Sequence, residues 1–359
     1  MLLVEAGERT QAPSRAAWDP SRRHTLIGLA LITVVSVVIA IGLGPVGVAP
    51  TTVLRIIAHH TLGLLDAESW ARTDDAIIWE VRLPRVLLGA IVGSTLGVVG
   101  VALQALVRNP LAEPYILGVS SGASTGAAAA ILFGVGAWLG TQSVSLMAFF
   151  GALGALALVL ALARSRGQIT PSRMLVAGVA VSYLLSAMTS LMILFAESAE
   201  GARAVMFWLL GSLANADWST LPIGYLGMGT GTVLVFWWRR RLDLLALGDE
   251  TAMASGVDPG RTRLLLVVVV ALCVGFAVSL SGGIGFVGLA APHIARRIIG
   301  PIHRHLIPAS AALGALMLVW ADVVARLALQ PRELPIGVVT GVLGAPVLVA
   351  LVRKLNHNN

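Results

Sequence analysis

The feature that most constrains this chain is a succession of long apolar segments with few charges inside them. A helix of about 20 apolar residues crosses a bilayer. Only 12% of the residues are charged and 57% are hydrophobic, so the chain lacks the polar surface of a soluble protein. It is predicted to be all-α and polytopic, with about ten transmembrane helices, which excludes a soluble enzyme. The ten apolar segments are 25–48, 81–106, 120–139, 144–163, 174–196, 219–238, 264–282, 284–299, 306–328 and 335–352.

The chain is predicted to form one integral membrane domain, because no long linker or change of composition divides it. We place a cytoplasmic N-terminal segment at 1–24, the transmembrane domain at 25–353 and a short C-terminal tail at 354–359. The first apolar run is longer than the core of a signal peptide and has no good cleavage site after it. It is therefore expected to be retained as the first helix.

The distribution of charge predicts the orientation. With the N-terminus in the cytoplasm, 18 of the 25 basic residues fall on the cytoplasmic side and 7 outside, as the positive-inside bias requires. Both termini are therefore predicted to be cytoplasmic, and the net charge of +7 gives little support to a nucleic-acid partner. Arg82, Arg85 and Arg326 are exceptions, which either pair internally or meet an acidic partner from outside. The internal candidates are Glu80, Asp322 and Glu333.

Two irregular regions interrupt the apolar pattern. Pro110 and Pro114 break the chain after the second segment, and together with Asn109 they indicate a shaped loop on the cytoplasmic side. A glycine-rich run at 281–288 is the second interruption. Non-helical backbone at membrane depth is tolerated only against protein or a water-filled cavity, so broken helices point to a transport path.

Small residues form one face of the second apolar segment. Gly89, Gly93, Gly97 and Gly100 recur every three or four positions, which favours close helix packing in lipid. Lining of a transport path is the alternative.

A short helix outside the membrane is predicted in the loop before the seventh segment. Asp249 is expected to be its N-cap, Glu250 suits the helix dipole, and Gly256 can end it at C′. Such a helix is marginal alone, so the membrane surface or a docked protein should hold it. The side chains expected to face a partner are Ala252, Met253 and Val257.

The chain lacks the motifs of an enzyme. It has no G-x-x-x-x-G-K-[ST] loop, and its only lysine is Lys354. No H-E-x-x-H, no nucleophile elbow G-x-S-x-G with a partner His and Asp, and no cluster at metal-ligand spacing appears, so no catalytic residue, metal site or bound cofactor is expected. Mid-membrane carboxylates are scarce, Asp322 being the main one, which weakens the alternative of an ion-coupled secondary transporter.

Four long segments together resemble the FecCD family, the permeases of type II ABC importers for iron–siderophore complexes, haem and cobalamin. The similarity extends from about Ile78 to Arg353. It is carried by RLPRVLLGAIVGSTLGVVGVALQALVRNPLAEPYILGVSSGAS at 82–124, LALGDETAMASGV at 245–257, SGGIGFVGLAAPHIAR at 281–296 and DVVARLALQPRELPIGVVTGVLGAPV at 322–347.

The resemblance implies the type II ABC importer permease fold in the cell membrane, with about ten helices and both termini inside. It further implies a homodimer, or a heterodimer with a related permease, whose path lies at the subunit interface. Two cytoplasmic ATPases would use ATP and Mg, and an extracytoplasmic binding protein would deliver the substrate. Membrane lipid is the remaining partner.

The resemblance also assigns roles to residues. The ATPases would dock on the loop at about 239–263, and the binding protein would meet the outward arginines. The inner gate would lie between the fourth and fifth segments, where Pro171 departs from the small polar residue that the family pattern suggests. The coupling residues are Leu247, Gly248, Asp249, Glu250, Ala252, Met253 and Gly256; the docking residues are Arg82, Arg85 and Arg326; the gate residues are Thr170, Pro171 and Ser172.

The expected substrate rests only on the commonest role of permeases of this type. An iron chelate, either a ferric siderophore or haem, is the first expectation, and cobalamin is the alternative.

Overall fold

The computed structural model describes residues 20–63, 70–165 and 168–357, and most of them are helical. Two strands of two residues, β1 (Arg164–Ser165) and β2 (Gln168–Ile169), pair antiparallel between two of the helices. The helices are α1 Pro20–Gly42, α2 Pro50–Leu62, α3 Arg72–Ala76, α4 Leu83–Val107, α5 Val119–Phe133, α6 Ser143–Ala163, α7 Pro171–Leu194, α8 Ala199–Leu209, α9 Leu221–Trp237, α10 Arg239–Leu247, α11 Asp249–Ala254, α12 Pro259–Ser281, α13 Val287–Ile299, α14 His303–Leu327 and α15 Ile336–His357.

The apolar segments contain helices, as the sequence predicts. Within the described residues, six helical stretches are long and apolar enough to cross a membrane, and three more apolar helices are shorter. The long ones are Ser21–Gly42, Arg72–Val107, Ala137–Ala163, Ser172–Leu194, Pro259–Ser281 and His303–Leu327. The shorter ones are Val119–Phe133, Leu221–Trp237 and Ile336–Pro346.

The ends of the chain differ from the predicted boundaries. Residues 1–19 of the predicted N-terminal segment lie outside the described residues, and α1 already begins at Pro20. The first apolar segment ends as a helix at Gly42 and not at 48. The residues that follow include two glycines, Gly44 and Gly47, and two prolines, Pro45 and Pro50, which do not continue a helix. At the other end α15 continues to His357, so most of the predicted tail is helical.

Helix α4 lies at the centre of the bundle, and almost every residue from Leu83 to Val107 is buried. Its glycine face packs directly on backbone: a methyl group at Gly93 would collide with the Gly314 carbonyl of α14, and one at Gly100 with the Gly288 carbonyl of α13. This contact agrees with the packing interpretation of the glycine spacing. Helices α13 and α14 therefore approach the backbone of α4 closely at these glycines.

A π-helical segment, Ile77–Arg82, joins α3 to α4 and makes one continuous helical rod. The Leu83 N–H donates to the Ile78 carbonyl, five residues earlier. Pro84 follows without an N–H to donate, and the wider turn accommodates its ring.

Candidate functional site

Helix α11 is the short helix predicted outside the apolar segments, and we call it the coupling helix after its predicted role. Its N-cap is Gly248, not Asp249: Gly248 has φ 130°, a conformation suited to glycine, and allows a sharp turn after α10. Asp249 occupies the first turn and makes no side-chain cap. The other end is as predicted, because Gly256 has φ 78° and its N–H donates to the Met253 carbonyl.

The Asp249 carboxylate ties the coupling helix to two long helices. Arg263, in the first turns of α12, donates to its two oxygens at 2.8 and 2.5 Å. Arg108, at the end of α4, also pairs with Asp249 and donates from Nε to the Leu245 carbonyl at 3.0 Å. The hydrogen bonds from Arg263, followed by the charges of both arginines, hold the pKa of Asp249 below its ordinary value.

The exposed surface of the coupling helix differs from the one predicted. Ala252 is fully buried and packs in the core of the bundle, so it cannot face a partner, and Val257 is half-buried against the same core. Leu247 and Met253 are 71% and 58% exposed, and Glu250 is exposed between them. A helix of two turns places every third or fourth residue on one face, which the sequence alone could not orient.

The predicted gate residues lie beside the coupling helix. Thr170 precedes α7, Pro171 is its first residue, where a missing N–H costs nothing, and Ser172 is exposed. Thr170 lines a cavity of about 770 Å³ whose other walls include Asp249 and Met253. The fold therefore brings the predicted gate and coupling elements to one cavity, although nearly 80 residues separate them in the sequence.

The two irregular regions of the sequence lie against each other. The carboxylate of Glu113 accepts a 2.6 Å hydrogen bond from the Phe286 N–H at the start of α13. The Tyr115 hydroxyl donates to the Ile284 carbonyl at 2.6 Å and accepts from the Ile284 N–H at 2.9 Å. The second break is thus satisfied by side chains of the first, as buried backbone groups require.

The loop after α4 is tightly folded around the predicted Asn109, Pro110 and Pro114. The Asn109 side-chain oxygen accepts from the Leu111 N–H at 2.9 Å, and its carbonyl accepts from the Ala112 N–H at 3.0 Å. Pro114 begins a 3-10 turn, Pro114–Leu117, that leads into α5.

The three arginines that were predicted to face outward are buried and have partners within the chain. Arg82 donates to the Ile41, Gly42 and Val46 carbonyls, and Arg326 to the Ala40 and Leu43 carbonyls, so both guanidinium groups cap the last turn of α1. Cations are favourable at that end of a helix.

Arg85 supplies the ion pairs that the sequence left as an alternative. Its Nε lies 2.8 Å from Asp322, and a terminal nitrogen lies 2.9 Å from Glu333. Asp322 also pairs with Arg326 at 3.0 Å. Internal pairing and capping explain why arginines occur at this end, and their contact with a binding protein stays a prediction.

A second cavity, of about 680 Å³, opens at the end of the bundle opposite the coupling helix. Its walls include the polar side chains of Gln142, Ser212, Asn215 and Asp217, with Trp208 of α8. The end of α12 and the segment before α15 complete it.

Sequence reasoning missed several residues of these sites. Arg108, Glu113 and Tyr115 stand inside the long motif at 82–124, but their partners are 137 to 173 residues away and no local pattern marks them. The pair His303–Asp243, with 2.6 Å between Nδ1 and Oδ1, was missed for the same reason.

Comparison with known proteins places these sites in a family context. The model of the FecCD transport family matches residues 32–354. A cobalamin import system permease of Halobacterium salinarum is 41% identical over 281 residues, which are 78% of this chain and 74% of that protein. A vitamin B12 import system permease of Salmonella paratyphi A is 40% identical over 310 residues, 84% of this chain and 93% of its own. The structure of a metal-chelate type ABC transporter in an inward-facing conformation is 32% identical with a TM-score of 0.79, and the alignment covers 92% of this chain and 99% of that one.

Proposed function

The chain belongs to the FecCD transport family, and we propose that this ABC importer permease carries cobalamin across the cell membrane. The proposal of cobalamin as the substrate rests on the similarity to two permeases named for cobalamin or vitamin B12, at 41% and 40% identity. The iron chelate preferred on sequence grounds becomes the second candidate, supported by the metal-chelate transporter of the same fold.

The family consists of transport permeases that work with ATPase and binding-protein partners, and not of enzymes. For this chain we propose that two ATPases, using ATP and Mg, dock on the coupling helix. The exposed Leu247 and Met253 supply apolar contacts and Glu250 a charge at the same surface. Asp249 is engaged inside the subunit, so its part is to hold the helix in place.

The path is proposed to run along α7 between two permease subunits, either identical or related. Tyr183 is 76% exposed, and Ser186 and Ser190, one and two turns further on, are exposed as well. Polar side chains on an exposed face of a membrane helix are costly against lipid and favourable beside a partner helix or water. Thr170 immediately precedes Pro171, the first residue of α7, so the proposed gate would lie at one end of the proposed path.

Titration of the cognate binding protein distinguishes the substrates. The proposal predicts tight binding of cyanocobalamin and weak binding of haem and of ferric siderophores. Tight binding of a ferric siderophore or haem, with none of cyanocobalamin, would replace the first candidate by the second. The permease itself should then support uptake of the same compound in liposomes that also contain the ATPase.

A further inference from the structure

We propose that the segment 108–118 transmits movement of the coupling helix to the break between α12 and α13, with Glu113 and Tyr115 as positioning residues. This inference deepens the proposed import function and rests on it. It concerns how energy delivered at one face of the permease reaches backbone inside the bundle.

One end of the segment is attached to the coupling helix. Arg108 is the C-cap of α4 and has the left-handed conformation, with φ 55°. Its guanidinium binds both the Leu245 carbonyl of α10 and the Asp249 carboxylate of α11. Any displacement of the coupling helix therefore acts on the chain at residue 108.

The middle of the segment is too tightly folded to absorb that displacement. The Asn109 side chain and carbonyl close consecutive turns on Leu111 and Ala112. Pro110 and Pro114 have fixed φ, and the backbone of the 3-10 turn that begins at Pro114 packs against Gly178 of α7. A connecting segment absorbs a displacement by backbone rotation at residues that are not hydrogen-bonded, and this segment has few such residues.

The other end of the segment holds the break in position. Phe286 has φ 68°, an uncommon conformation for a residue with a side chain, and its N–H is bound by Glu113 at 2.6 Å. The Phe286 ring fills the space beside Gly344 of α15, where a methyl group would collide with it. Tyr115 binds both backbone groups of Ile284.

Movement of the break would directly reach the second cavity, at the end of the bundle opposite the coupling helix. Ser281 and Gly282 line that cavity, and the Ser281 carbonyl accepts from the Ser212 N–H at 2.9 Å. The Gly211 carbonyl in turn accepts from the Ile336 N–H at 3.2 Å. Thus the segments before α9, after α12 and at the start of α15 meet at the point that Glu113 and Tyr115 hold.

Tyr115→Phe removes two hydrogen bonds to the break and keeps the ring. The matched control is Tyr225→Phe, because the Tyr225 hydroxyl has no hydrogen bond within the described residues. Hydrogen exchange of the full permease–ATPase complex in liposomes is compared with and without ATP and vanadate. In the wild type, and in Tyr225→Phe, both 249–256 and 281–287 should change exchange on adding nucleotide.

In Tyr115→Phe the nucleotide-dependent change should persist at 249–256 and be lost at 281–287. Basal exchange at 281–287 should rise by roughly 30-fold, the equivalent of two ordinary hydrogen bonds. Glu113→Ala should act in the same direction, while Glu113→Gln keeps an acceptor oxygen for Phe286 and should restore most of the transmission. These two variants also test the inference if Tyr115→Phe does not fold.

An unchanged nucleotide response at 281–287 in both Tyr115→Phe and Glu113→Ala would overturn the inference, even if both variants melt at lower temperature. A wild-type complex that shows no nucleotide response at 249–256 would instead refute the proposed coupling to an ATPase.

Discussion

Replacing Asp249 by Asn should make the coupling helix less ordered without changing the exposed apolar side chains at its surface, Leu247 and Met253. The carboxylate accepts hydrogen bonds from Arg263 at 2.8 and 2.5 Å and pairs with Arg108. A hydrogen bond to a charged group contributes about 1.5–3 kcal/mol when buried. The Asp249 side chain is 41% exposed, so solvent screens the pairs, and we expect the whole set to contribute about 1–2 kcal/mol.

This loss limits how much the ATPase affinity can fall. Suppose that the ATPase binds only permease molecules in which the coupling helix is ordered. Its apparent Kd is then the intrinsic Kd divided by the fraction of permease molecules in that state. A change of about 1–2 kcal/mol therefore corresponds to at most a 5- to 30-fold weaker Kd.

The assay is the Kd of the detergent-purified permease for its ATPase, measured together with hydrogen exchange at 249–256. Glu197→Gln is the control: Glu197 is exposed and lies outside the coupling loop, so its loss should leave both the Kd and hydrogen exchange in the coupling helix unaltered. Wild-type Kd and wild-type exchange in Asp249→Asn would refute the assignment of Asp249 as the residue that holds the helix.

Three further predictions concern the pH response of the coupling helix, the buried arginine pairs and the glycine packing of α4. The pKa of Asp249 is lowered, so its stabilisation of the coupling helix should be complete above the ordinary pKa of 3.8 and be lost as the pH falls through the lower pKa of the folded state. Hydrogen exchange at 249–256, measured as a function of pH, tests this. Asp249→Asn should abolish the pH dependence. Asp322→Asn leaves two buried arginines without their shared carboxylate and should destabilise the permease by about 3–5 kcal/mol in thermal unfolding, whereas the exposed Glu197→Gln should not. Gly100→Ala forces α4 and α13 apart at a cost of about 1–3 kcal/mol, while Gly154→Ala, where a methyl group meets nothing within 4 Å, should unfold at the wild-type temperature.

The fold class followed from the sequence because hydrophobicity and glycine spacing are local signals. The apolar segments and the close approach of Gly93 and Gly100 to backbone could be predicted because a bilayer imposes length and composition on each span. Helix ends were less predictable. Gly42 ends α1 where the apolar composition continues, and α15 continues where polarity returns.

The coupling helix shows where a local signal is misleading. Asp249 is a residue type that favours the N-cap, but Gly248 takes that position and the carboxylate is free to bind an arginine from α4 and one from α12. Ala252 is buried by the bundle, not by a partner. Both outcomes depend on tertiary contacts across more than ten residues, which composition at one position does not contain.

Contacts within the chain explain the three arginines that depart from the positive-inside bias. Their excess at the predicted outer end suggested either internal pairing or a partner. The structure places Arg82 and Arg326 on the carbonyl groups that end α1, and Arg85 between Asp322 and Glu333. Asp322 and Glu333 were internal candidates from the sequence. Only the fold could show that Arg85 binds both of them and that the other two arginines bind backbone carbonyls 36 to 286 residues away.

ATP-driven uptake is the most direct test of the central conclusion. Liposomes containing the permease and its ATPase, with the binding protein outside, are given radiolabelled cyanocobalamin. The account predicts accumulation that requires ATP and stops with vanadate. Accumulation driven by a proton gradient alone, without the ATPase, would contradict it and identify a secondary transporter.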